Sequence, residues 1–335
     1  ENGLLFGPDP GAAEQSHIGG NVATNAGGPH AFKYGTTGAW VTGVEAVVPP
    51  GEVVRFGGPL RKDVAGYDLT HLLVGSEGTL GVITEATLKL VPVPTHMSAV
   101  VAAFPSVAQA VETVVAVRGA GLDPAALEFV DAAHAVMLSQ SDGVELSAHP
   151  HLFMEFHAAH QATLESGLAS VREICAEMGA LNVRTTTDTA ERKKLWHARH
   201  HSYEIMVRSH PDKQFYIMDV AVPISAYPEL IAFVEALTAE RGMTAYMIGH
   251  AGDGNIHVEF PYATTAEEAQ VMEANHDIIM KALALGGTCT GEHGVGVGKA
   301  KYLRAEHGDG LDVMRALKAT LDPKGILNPG KVFVE

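Results

Sequence analysis

At 335 residues, 46% of them hydrophobic and 19% charged, the chain is long enough for a substantial core and for two domains, which excludes a single small binding module. A formal net charge of −16, with no run of Lys and Arg to offset it, repels phosphate backbones and excludes nucleic acid as a partner. Cys175 and Cys289 follow neither CxxC spacing nor a disulfide framework, and no apolar stretch approaches the roughly 18–20 residues of a membrane helix; these features predict a cytoplasmic protein without a transmembrane segment, open to peripheral docking at a membrane.

The chain begins at Glu1 and runs at once into GLLFGPDPG, which reads as the interior of a domain and predicts a further segment upstream. Up to about residue 95, glycine and β-branched residues dominate, with strand-like runs at Val41–Val48, Leu72–Val74 and Leu80–Leu90. A boundary is expected at Pro92–Pro94. Beyond it, AVVAAFPSVAQAVETVVAVRGAG reads as a short strand followed by an amphipathic helix ending at glycine. Further strands are expected at Ala125–Val130, His151–His157, Phe215–Val222 and Ala245–Gly249, and helices over about 163–178, 226–241, 265–284 and 311–320. The alternation is α+β, without an internal repeat. The division expected is 1–94, 95–310 and 311–335. In the last segment LKATLDPKGILNPGKVF stops a helix at Asp322-Pro323 and then turns back.

The strongest local signal is HAGDGNIH, His250 to His257, flanked by apolar strands. Asp253-Gly254 suits a two-residue hairpin turn. Centred there, the register pairs 252 with 255, 251 with 256 and His250 with His257, putting Cβ atoms roughly 4.5–5.5 Å apart, close enough to share a cation. The bland alternative is a polar hairpin facing water. Glu292-His293, embedded among glycines in GTCTGEHGVGVGK, offers a third ligand. Two histidines and a carboxylate make a catalytic rather than a structural metal site, favouring zinc, with manganese or iron as alternatives. Adjacent side chains on an extended loop diverge, so one of Glu292 and His293 is expected to bind metal and the other to serve as acid or base.

SHIGGNVATNAGGPHAFKYGTTG and GYDLTHLLVGSEGTLGVITEATLKL carry glycine clusters that are neither a Rossmann GxGxxG nor a Walker A loop. By themselves they are either a cofactor cradle or glycine-rich turns. Together, FGPDP, LLVGSEGTLGVIT, HAGDGNIH, GEHGVG and LNPGK, in this order along nearly the whole chain, resemble the FAD-linked oxidases of the vanillyl-alcohol-oxidase type, in the branch of glycolate oxidase catalytic subunits, D-lactate dehydrogenases and D-2-hydroxyglutarate dehydrogenases. The resemblance implies part of an FAD-binding domain, a ferredoxin-like α+β substrate (cap) domain, and a C-terminal segment returning to the flavin. It implies that Pro8, Gly19, Gly20, Asn21, Thr24, Asn25, Gly27, Gly28, Glu77, Gly78, Gly81, Val82 and Ile83 surround FAD and that Asn328 reaches back to it. It further implies that His250, His257 and Glu292 hold the metal, that His293 is the general base, and that Arg199 in Trp196-His197-Ala198-Arg199 pairs with a substrate carboxylate. The residue-level alternative for Arg199 is a surface ion pair.

Two departures stand out. Relatives acting on dicarboxylates tend to carry a lysine before the strand matching Asp219-Val220-Ala221-Val222-Pro223 and an amide two residues past the second histidine; Ile217-Met218 and Glu259 stand there, favouring a small monocarboxylate such as lactate or glycolate. Family members also begin with a PRGGGTG-like loop that binds the FAD pyrophosphate, and its absence predicts weak flavin binding by this chain alone. The resemblance thus implies oxidation of a D-2-hydroxy acid, with electrons passed to a quinone, a cytochrome, an electron-transfer flavoprotein or an iron-sulfur subunit, and admits a homodimer. The rivals are a non-catalytic metal- or ligand-binding fragment and a metal-dependent hydrolase.

Overall fold

The computed structural model describes residues 2–11, 15–141 and 144–333. They fall into two units, Glu1–Val93 with Cys289–Glu335, and Pro94–Thr288. Cys289–Glu335 group with the first of these units.

In the first unit, β1 (Leu4–Leu5) pairs with β5 (Val91–Pro92), while β2 (Val41–Val48) lies between β3 (Glu52–Gly57) and β4 (Val82–Leu88) in an antiparallel sheet. β2 has one face packed with Val22, Leu73 and Leu80 around Val44 and Ala46. The expected strand at Leu72–Val74 is instead the end of a helix, Leu69–Leu73. Asp68 explains the difference: its carboxylate accepts the His71 N–H at 3.0 Å, a helix-starting cap that outweighs the apolar run behind it. The helix Gly310–Leu321 ends where Lys318 donates to Thr79 O and Leu327 O, each at 2.8 Å. Asp322 then accepts the Ile326 and Leu327 amides, fixing the returning tail against the first segment.

The second unit is built on one seven-stranded antiparallel sheet. Its strands are β6 (His96–Ala103), β7 (Ala126–Val130), β8 (His151–Ala158), β9 (Asn182–Thr186), β10 (Gln214–Ala221), β11 (Tyr246–Gly249) and β12 (Asn255–Tyr262), in the order β10-β12-β11-β7-β8-β6-β9. Helices Val107–Gly119 and Gln161–Glu177 connect β6 to β7 and β8 to β9, so the first four strands lie in the ferredoxin-like order. The second half repeats this plan. Helix Tyr227–Glu240 joins β10 to β11, and helix Thr265–Ala284 leads from β12 to Thr288, which bridges back to Ala221 on β10. The doubling leaves no trace in the sequence, because each half needs only a matching pattern of buried positions and not matching residues.

The two halves meet where β7 and β11 pair, Val130 opposite Ile248 and Phe129 opposite Gly249. Alternation sends Ala126, Glu128 and Val130 of β7 to one face. That face packs on Leu195, Trp196 and Ala198 of helix Thr189–His200 and on Ile205 and Met206 of helix Ser202–Ser209. Among the described residues no helix is long and apolar enough to cross a membrane.

Candidate functional site

The hairpin containing His250 and His257 is wider than a two-residue turn. Ile248, not His250, lies opposite His257, and Ala251–Asp253 form a short 3-10 turn closed by Gly254 in the left-handed region at φ 70. His250 O accepts both the Asp253 and Asn255 amides. The expected pairing of His250 with His257 is therefore shifted by two residues, since Asp253-Gly254 is the end of a four-residue loop rather than its centre. The imidazoles still meet: their centroids are 5.3 Å apart at 89°, and each offers a ligand nitrogen within 4.8 Å of the other.

The sheet register supplies each histidine with a carboxylate. Continuing the β7–β11 pairing by one residue sets Glu128 beside His250, whose Nδ1 lies 2.9 Å from both Glu128 oxygens. Asp219 stands directly opposite His257, with Oδ1 3.6 Å from Nδ1; Asn255 Nδ2 donates to the same oxygen at 2.7 Å. Both carboxylates are fully buried. His250, hydrogen-bonded through Nδ1 to Glu128, presents Nε2 as its ligand atom, with raised basicity. This donor chemistry fits a divalent metal such as zinc. Glu128 and Asp219 escape a motif search, yet Glu128 stands alone in ALEFV, a strand buried at every position.

Arg199 is neither exposed nor paired at the surface. Its Nη2 lies 2.5 Å from Glu128 Oε2, and its side chain is 8% exposed. Burial opposes ionisation of Glu128, but His250 and Arg199 together outweigh it and hold the carboxyl below its ordinary range. Near this group lie Glu259, pushed up to about 8 by burial, and His134, lowered to about 3 by burial and the positive charge of Arg199.

In the first unit, Glu292 packs on Gly27: a Cβ at residue 27 would stand 2.5 Å from Glu292 Oε2. His293 Nε2 lies 3.8 Å from Glu292 Oε1, so the two adjacent side chains do not diverge as an extended loop predicts. Both sit in a glycine-rich turn, with Gly294 at φ 83. Several residues expected around flavin hold the chain together. Asn25 Oδ1 accepts the Gly38 N–H at 2.7 Å and the Thr36 hydroxyl at 2.9 Å. Glu77, itself at φ 52, accepts the Val295 and Gly296 amides at 2.7 and 2.8 Å, and its carbonyl accepts from Asn328 Nδ2. Gly19, Gly20, Asn21 and Thr24 lie on a helix, Ile18–Thr24, rather than on a turn. Gly19 and Gly20 are exposed, and a Cβ on either meets nothing within 4 Å, so internal packing does not demand these glycines and the surface there is open to a cofactor. Pro8, Gly28 and Gly81 are buried, Gly78 and Ile83 half-buried, and Val82 exposed.

A divided FAD-type unit carrying an antiparallel α+β unit between its parts is the architecture of the vanillyl-alcohol-oxidase-type flavoproteins. The solved 4-ethylphenol oxidase from Gulosibacter chungangensis superposes with TM-score 0.67 at 17% identity, covering 88% of this chain and 66% of that one. p-Cresol methylhydroxylase gives 0.69 at 14%, covering 92% and 70%. In sequence, residues 93–332 match the family described as FAD linked oxidases, C-terminal domain, and residues 1–57 match an FAD binding domain. Relatives include the glycolate oxidase subunit GlcD of Bacillus subtilis, 39% identical over 99% of this chain and 71% of that protein. A probable mitochondrial D-lactate dehydrogenase of Danio rerio is 38% identical over 99% and 68%, and the mitochondrial D-lactate dehydrogenase [cytochrome] of Arabidopsis thaliana 37% identical over 99% and 59%. The chain belongs to the FAD-linked oxidases and is an oxidoreductase of that family. This accounts for the glycine-rich blocks that a metal-dependent hydrolase leaves unexplained.

Proposed function

We propose that the protein oxidises a small D-2-hydroxy acid, D-lactate or glycolate, to the 2-oxo acid, with FAD as oxidant and a divalent metal, zinc being favoured, at His250, His257 and Glu292. The observation that carries this reading is the pair of imidazoles 5.3 Å apart, with His250 Nδ1 hydrogen-bonded to the buried Glu128 carboxylate and the buried Asp219 carboxylate 3.6 Å from His257 Nδ1. The names of relatives, a glycolate oxidase subunit and D-lactate dehydrogenases, support the substrate class. When bound, the flavin supplies the hydride acceptor and the metal a Lewis acid for the hydroxyl and carboxylate oxygens.

The chain's own residues supply the rest. His293 takes the hydroxyl proton as the Cα–H bond gives up its electron pair, leaving the 2-oxo acid. Arg199 has one donor committed to Glu128, and the rest of its planar fork serves a substrate carboxylate. Glu259, buried and pushed up to about 8, together with Ile217 and Met218, offers no cation to a second carboxylate and so favours monocarboxylates. The open surface at Gly19 and Gly20, with Pro8, Asn21, Thr24, Gly27, Gly28, Gly78, Gly81, Val82, Ile83 and Asn328, borders the flavin. Among electron acceptors a cytochrome has support from the names of two relatives, and a cytoplasmic location belongs to the same proposal.

The test is the absorption spectrum of the purified chain with added FAD, before and after D-lactate or glycolate, with metal analysis of the same sample. Bleaching of a bound flavin band by one of these acids is expected; no bleaching by either in a sample containing flavin and metal rejects the substrate assignment. His293→Ala should lose turnover by at least about 100-fold with metal content unchanged.

A further inference from the structure

Glu128 takes no proton and touches no substrate in the chemistry proposed above, yet it is hydrogen-bonded to two residues assigned to the site. We propose that Glu128 is a positioning residue that fixes the His250 imidazole as a metal ligand and the Arg199 guanidinium as a carboxylate binder in one rigid arrangement, an inference that rests on the metal-site reading. Glu128 is fully buried at the centre of β7, the strand that joins the two halves of the sheet, so its carboxylate cannot rotate away without disturbing packing on both sides. One oxygen lies 2.9 Å from His250 Nδ1; the other lies at that same distance and also 2.5 Å from Arg199 Nη2.

The consequences for the two partners differ. His250 donates from Nδ1, so its proton is held on that nitrogen and Nε2 keeps its lone pair for a cation. Arg199 is anchored at one end of its fork, which orients the remaining N–H groups without ordering a long side chain when an anion arrives. A simpler role for Glu128 would be to neutralise a buried guanidinium, because an uncompensated charge there would destabilise the fold. The two roles separate when the charge pair is removed together.

Zn2+ titration of the wild-type chain, Glu128→Gln and the double variant Glu128→Gln/Arg199→Met reads the difference, with circular dichroism to verify folding. Glu128→Gln is expected to bind Zn2+ roughly 10- to 100-fold more weakly than wild type. The double variant, with no buried charge left over, should remain folded and bind as weakly as the single one; it carries the test if Glu128→Gln alone fails to fold. Wild-type affinity in the folded double variant would show that Glu128 only neutralises Arg199 and would overturn the proposal. In the metal-free protein, 15N NMR of His250 should report a proton fixed on Nδ1 in wild type and a tautomer mixture in the variants. No Zn2+ uptake by wild type removes the metal reading and this inference with it; uptake by wild type with unchanged affinity in Glu128→Gln removes the inference alone.

Discussion

His134 is fully buried, and burial lowers its imidazole to about 3. Folded, it stays neutral through the mildly acidic range; unfolded, it takes up a proton below about 6.5. The unfolded state then binds more protons, so stability falls as pH drops below 6.5, by up to about 1.4 kcal/mol per pH unit from this site. Melting curves between pH 7 and 5 should show a shallower acid decline in His134→Phe than in wild type, and equal slopes would reject the assignment. Gly27 offers a second residue-scale test. A methyl group there would stand 2.5 Å from a Glu292 oxygen, and the flexible end of that side chain gives way more cheaply than the backbone. Gly27→Ala is accordingly expected to fold normally while taking up less Zn2+; uptake equal to wild type would dissociate Glu292 from the metal.

Among the elements, the His250–His257 hairpin depends on its four-residue loop. Gly254 sits at φ 70, and a Cβ there would lie 2.0 Å from Val222 O. Gly254→Ala combines left-handed strain with a backbone clash and should cost more than about 1 kcal/mol, measurable in urea unfolding, with Zn2+ affinity falling as the loop shifts. This hairpin also shows what was legible in the sequence. Apolar alternation placed β11 and β12, and the histidine spacing brought the imidazoles together, but Asp253-Gly254 suits both a two-residue turn and the end of a longer one, so register could not be read locally. Val41–Val48 and helix 265–284 were legible to the residue, the latter because Thr264 and Glu267 form a capping box. Glu128 was not, since its meaning depends on a strand more than a hundred positions away in sequence.

At the scale of the molecule, the unit Pro94–Thr288 carries its own sheet, helices and core, and is expected to fold when expressed alone, with a cooperative calorimetric transition; a molten, non-cooperative product would contradict that. The first unit is completed by chain from both sides of this insertion. Its fastenings are the Glu77 carboxylate on the Val295 and Gly296 amides and Lys318 on Thr79 O. During synthesis the ribosome releases residues 94–288 before either fastening partner exists, so the order of assembly inverts the order of the sequence: the later segment can mature first, while the earlier one waits for residues 289–333, which bring these fastenings and Leu321 at the edge of its core. Stalling translation just past residue 288 should therefore yield a protease-resistant second unit preceded by a protease-sensitive stretch within residues 2–93, a state in which chaperones would find their substrate in the earlier-made of the two segments.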